Sequence, residues 1–309
     1  MKISLAPPTV LSGEICAQLK PQGLSIEPTV VIERNLMFEA PVVVAPGCRL
    51  NRMQIGAYSH IAPLSALQVA TLGRYCTIGS KVKIGVGMHT VHNATTSHAA
   101  RNNPLFMGYS GFIPLTAEQT QDSGEDLNIV TLGHDVVVGA HCILPQNVTI
   151  GHGAYIEAGS IITHDVPPYA IVSGKGGGAN SHGIIKGYRF SDEVIADLLE
   201  LQWWDYDLPQ MLASGLKVPL DNIKDFIAFM RNEEREHLVK IESQWRYLQV
   251  HNAQQVTLIP VDPQRSSMGT LLTPPEIVPA VTAPTQSGAG AAQSDAVSAQ
   301  SGTVPASTY

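Results

Sequence analysis

From Leu132 onward the chain places an apolar residue at every sixth position: Leu132, Val138, Leu144, Ile150, Ile156 and Ile162. Gly133, Gly139 and Gly151 directly follow three of them. An α-helix repeats its faces every 3.6 residues, so a strict period of six is not helical. It suits a ladder of very short strands. Each strand turns one apolar side chain into a prism, and small residues take the corners, where the backbone can need φ > 0. The same step runs earlier through Leu24, Val30, Leu36, Val42 and Cys48. It slips by one to Ile55, Ile61 and Leu67, shortens by one, and resumes at Leu72, Ile78 and Ile84. The chain is therefore predicted to be mainly β, a parallel β-helix of hexapeptide repeats.

The repeat is absent between Ile84 and Leu132. Because the same prism resumes afterwards, residues 87–128 are expected to protrude as an excursion loop. A long irregular insertion in a regular scaffold is usually functional. This one carries His89, His92, His98, Arg101, Phe106, Tyr109 and Phe112. Residues 1–22, broken by Pro7, Pro8 and Pro21, read as an N-terminal arm, and residues 23–190 as the β-helix domain. Pro167 and Pro168 end the last coil, ahead of a Gly-rich stretch from Gly174. Residues 191–262 read as a C-terminal helical extension. Ser191 is expected to cap its first helix, whose apolar face is Val194, Ile195, Leu198, Leu199 and Leu201. A second helix is predicted from Asn222 to Val250, on the spacing of Ile223, Phe226, Ile227, Met230, Leu238, Ile241, Trp245 and Leu248. Residues 263–309, rich in Ser, Thr, Ala, Gly, Gln and Pro, read as a disordered tail.

Composition narrows the function. Apolar residues make up 44% of the chain, enough for a substantial core, and charged residues only 15%. The net charge of −7 argues against nucleic acid or an anionic membrane as the main partner. None of the four Cys sits in a C-x-x-C pair, so reduced structural thiols are expected. The N-terminus lacks the continuous apolar run of a signal peptide, and no stretch of ~18 apolar residues suggests a membrane span. A cytoplasmic location is expected.

The repeat, the loop GVGMHTVHNATTSHAARNNPLF and the ending VPPYAIVSG…RFSDEVIADLLELQWWDYD together resemble the hexapeptide-repeat acyltransferases. The likeness is greatest to their xenobiotic branch, the chloramphenicol and streptogramin acetyltransferases; polysaccharide O-acetyltransferases share the pattern. It covers residues 55–210 approximately. The resemblance implies a left-handed β-helix that forms a homotrimer. It also implies acetyl-CoA as co-substrate, lying between neighbouring prisms, and no metal. The family's catalytic His stands in a G-x-G-x-H context, followed by a Ser/Thr cluster and a Pro-Phe pair. Here the matching residues are Gly85-Val86-Gly87-Met88-His89, then Thr95-Thr96-Ser97, then Pro104-Leu105-Phe106. The match puts the base at His89. Chemistry agrees: an alcohol attacking a thioester must lose a proton, and a neutral imidazole is well suited to take it. By the same likeness His92, Ser97 and Phe106 become acceptor contacts. Gly139, Ala140, Ala158 and Gly159 fall where relatives hold the pantetheine, and His164 and Lys175 where they hold phosphates. Relatives often carry Asn where this chain has His134, and Lys where it has His164.

The expected function is acetyl-CoA-dependent O-acetyl transfer to a hydroxyl of a saccharide or xenobiotic small molecule. The alternative is a non-enzymatic trimeric scaffold that kept the fold. A γ-type zinc carbonic anhydrase on the same prism would need an H-x4-H pair, and the chain has none.

Overall fold

The computed structural model describes residues 8–87, 94, 111, 128–174, 183–234 and 236–261. Its first face stacks the strands Leu24–Ile26, Val42–Val44, Ser59–Ile61, Thr77–Ile78, Val137–Val138, Tyr155–Ile156 and Ala170–Ser173, all in parallel. Thr77 pairs directly with Val137, so the wall continues without a break across the interruption of the repeat. The strands Arg49–Ile55 and Ala66–Leu72 each bend midway, at Arg52 (φ 54°) and Val69 (φ 49°), and so serve two faces. Their first halves, with Val31–Ile32, Lys83–Val86 and Ile143–Pro145, make the second face. Their second halves, with Leu36–Glu39, Val130–Leu132 and Thr149–Ile150, make the third. The three faces close a left-handed parallel β-helix.

The hexapeptide step accounts for the core. All seventeen residues it picks out, from Leu24 to Ile162, are at most 1% exposed. Each fully buried aliphatic side chain contributes roughly 1.5–3 kcal/mol. Cys48, Cys76 and Cys142 are buried thiols whose Sγ lies 3.2, 3.1 and 3.1 Å from the corner carbonyls of Ala62, Gly133 and Glu157. Burial pushes all three thiols up, Cys76 to about 12, so they act as small core residues.

Both ends differ from the sequence expectation. The arm is not irregular: Ser12 caps a helix, α1 (Gly13–Leu19), and the Ser12 hydroxyl accepts from the Ile15 N–H at 3.3 Å. Ile15, Cys16 and Leu19 of α1 join the prism core and plug its N-terminal end. In the extension, α2 (Asp192–Leu201) is present, but Ser191 at its N-cap makes no side-chain capping bond. A short helix α3 (Leu208–Ala213) follows, and then α4 (Ile223–Asn232). The predicted helix to Val250 stops there. The strands Trp245–Asn252 and Gln255–Val261 form a hairpin instead, so the extension is not wholly helical. The spacing of Ile241, Trp245 and Leu248 fits a helix, but the Trp, Tyr and Val residues around it prefer a pleated surface. Leu36–Glu39 supplies one: Trp245 pairs with Glu39 and Leu248 with Leu36, antiparallel. Among the described residues, no helix is long and apolar enough to cross a membrane.

Candidate functional site

The corner between the third and first faces is filled by the chain itself. Arg74 donates two hydrogen bonds to the buried Glu39 carboxylate, at 2.8 and 2.7 Å, and a third to Asp205 at 2.8 Å. Above it, the Arg74 N–H donates to His134 Nδ1, and the His134 N–H to His152 Nδ1, both at 2.9 Å. Each ring therefore accepts at Nδ1 and is a neutral imidazole. Trp204 lies nearly parallel to both rings, with centroids 5.1 and 4.6 Å away. Burial, the neighbouring His152 and Arg74 push His134 down to about 4, and burial lowers His152 as well. Tyr58 donates to Asp207 at 2.7 Å, and Tyr75 to the Tyr206 carbonyl at 2.7 Å. Asp135 pairs with Arg189 at 2.9 Å; burial nonetheless raises its carboxyl. These bonds dock the Trp203-Trp204-Asp205 turn and the helices behind it. Among the described residues, no group of three His, Cys, Asp or Glu could hold a metal.

The corner between the first and second faces is different. Gly139, Ala140, Ala158 and Gly159 meet there, on adjacent coils. Gly139 is needed for packing, since a Cβ on it would lie 2.4 Å from the Ala158 nitrogen. Gly159 takes φ 77° and faces open space. The N–H groups of Gly139 and Gly159 are spent on Ile156 and Ala140 carbonyls, both at 2.8 Å. Those of Ala140 and Ala158 have no hydrogen-bond partner among the described residues. Ala158 and Gly159 are exposed. Small residues with available amide donors fit an extended chain of amides such as pantetheine.

The third corner launches the excursion. Gly85 has φ 76°, and a Cβ there would sit 1.9 Å from the Gln68 carbonyl oxygen, so only Gly fits. The Gln68 side chain donates to the Gly85 carbonyl at 2.6 Å and pins the root. The two ends of the excursion rejoin the same strand. Lys83 and Ile84 pair with Ala66 and Leu67, and Val130 to Leu132 with Ala70 to Leu72.

The chain is 33% identical over 143 residues to a chloramphenicol acetyltransferase of Klebsiella aerogenes, a match covering 46% of this chain and 62% of that protein. To a chloramphenicol acetyltransferase of Agrobacterium fabrum it is 35% identical over 176 residues, 56% of this chain and 78% of the relative. The chain belongs to the xenobiotic branch of the hexapeptide-repeat acetyltransferases. A probable macrolide acetyltransferase of Lysinibacillus sphaericus is 34% identical over 137 residues, 44% of this chain and 68% of the relative. No family model matches. A solved N-acyltransferase from Bacillus cereus is 21% identical, covering 63% of this chain and 98% of that one; its TM-score of 0.40 is too low to bear on function.

Within this acetyltransferase family member, the residues expected at the site divide three ways. Gly139, Ala140, Ala158 and Gly159 share one corner. His164 does not join them. The bridges Ile143–Ile161 and Ile150–Val166 put it on the excursion's corner, where its Nε2 lies 2.9 Å from the Gly183 carbonyl. His89, His92, Ser97, Phe106 and Lys175 lie outside the described residues, as does the 263–309 tail. Sequence reasoning missed Glu39 and Arg74. The pair is 35 positions apart, and no local pattern joins it.

Proposed function

We propose that the chain transfers an acetyl group from acetyl-CoA to a hydroxyl of a saccharide or xenobiotic, with His89 as general base in a homotrimer. The observation that carries this reading is the placement of the G-x-G-x-H stretch. It begins at the corner after Ile84 where the six-residue step stops, on a glycine whose Cβ would meet the Gln68 carbonyl oxygen. Family membership supports the chemistry, and the Ala140–Gly159 corner supports a site for the pantetheine arm. His89 would take the proton from the acceptor oxygen as that oxygen attacks the thioester carbonyl. A carbon–oxygen bond forms, the carbon–sulfur bond breaks, and the proton returns to the departing sulfur. A base of this kind contributes roughly 10²–10⁴-fold; orienting the two substrates supplies more.

The test is thiol release from acetyl-CoA against a panel of hydroxyl and amine acceptors, with thermal unfolding measured at saturating acetyl-CoA. A ligand at a hundred times its Kd stabilises by about 2.7 kcal/mol. Acceptor-dependent thiol release and a raised Tm are expected. A folded protein that shows neither would leave the scaffold reading standing.

A further inference from the structure

Parallel pairing builds a notch on the second face, at the root of the excursion. In register, Arg49, Ala66 and Lys83 stand one above another, and Asn51 stands beside Gln68. Parallel strands lie about 4.8 Å apart, so Ala66 leaves a gap between two long side chains about 10 Å apart. The resulting cavity is ≈ 210 Å³, lined by Glu33, Arg49, Asn51, Gln68, Lys83 and Val86 among others. Beside the apolar Ala66, Leu67, Ile84 and Val86, its lining carries two cations and one anion, one positive charge in excess. Arg49 is paired with Glu33. Lys83 is exposed, and its side-chain ammonium has no ion-pair or hydrogen-bond partner among the described residues. Asn51 Oδ1 is buried and accepts no hydrogen bond. Leaving such an acceptor unmet is unfavourable, so what the notch lacks is a donor.

The notch also lies at the start of the G-x-G-x-H stretch. Val86 lines it, and His89 follows three residues later. We infer that the notch is an acceptor subsite and that the acceptor is an anionic saccharide. One hydroxyl donates to Asn51 Oδ1, and a carboxylate or phosphate on the sugar meets Lys83. This rests on the acetyl-transfer reading above and deepens it. A largely apolar aromatic antibiotic would leave both groups unmet.

The experiment uses the full chain and four probes: glucuronic acid, glucose 6-phosphate, glucose and chloramphenicol. Saturation-transfer NMR without acetyl-CoA reads binding, and thiol release with acetyl-CoA reads transfer. At least one charged sugar binds, and whichever of the two binds more tightly identifies the anion. Lys83→Gln lowers the ratio of kcat/KM for the charged sugar over glucose by about three- to fivefold. Asn51→Leu weakens both sugars; should it fail to fold, the exposed Lys83→Gln keeps the test alive. An unchanged ratio in Lys83→Gln overturns the inference. So does transfer to chloramphenicol with no charged-sugar binding, which leaves acetyl transfer intact. Charged-sugar binding that both variants lose, with no transfer to any acceptor, keeps the subsite and overturns the transfer reading.

Discussion

Arg74 grips the buried carboxylate of Glu39 through two hydrogen bonds of 2.8 and 2.7 Å, and so fastens one corner of the prism to the turn that carries Trp204. Ser243 adds a third bond to Glu39 at 2.7 Å. Arg74→Ala would leave a carboxylate in the core without its cation. Such removals cost about 3–5 kcal/mol. The urea midpoint should fall accordingly, and Glu39→Gln with Arg74→Met together should cost less than Arg74→Ala alone. Burial works against the charge on Glu39, but the bonds from Arg74 and Ser243 prevail and lower its pKa. Its contribution is present above the ordinary carboxylate range and is lost as the pH falls through the lowered value.

His134 and His152 give a second acid dependence of the same sign. Both are held neutral when folded, His134 with a pKa of about 4. The unfolded chain binds these protons near pH 6.5 and the folded one does not, so stability falls as the pH drops from about 6.5 toward 4. For His134 the loss is on the order of 3 kcal/mol. His134→Asn keeps an acceptor for the Arg74 N–H and removes the titration, so it should flatten the decline in Tm between those pH values. A decline identical to wild type would show that His134 is not its source.

How far the sequence could be read follows from these contacts. The hexapeptide step is a local signal with one inward residue per strand, and all seventeen residues it names are buried. The interruption after Ile84 was legible because the signal stops there, and Thr77 pairs with Val137 across it. Glu39 and Arg74 were not, because their pairing depends on which coils stack. Trp204 lies against two corner histidines and Trp203 against Tyr75, roles that no spacing announces. The 245–261 hairpin was misread because apolar spacing alone cannot separate a helix from a strand that pairs 200 residues away.

Two glycines with similar φ should behave differently. Gly159→Ala meets open space and bears only the left-handed penalty, roughly 1–2 kcal/mol. Gly85→Ala bears that penalty and a Cβ 1.9 Å from the Gln68 oxygen, so the wall or the excursion root must move. Thermal unfolding should rank Gly85→Ala well below Gly159→Ala. Acetyl transfer by Gly85→Ala should fall even at temperatures where it remains folded. Equal Tm values for the two would contradict the tight packing of the root.

The most direct measurement is acetyl transfer by His89→Ala, compared with wild type under matched acetyl-CoA and an acceptor that the panel identifies. With His89 as the general base, kcat falls by roughly 10²–10⁴-fold, while the oligomeric state and the Tm gain with acetyl-CoA persist. Turnover within a few-fold of wild type would contradict it.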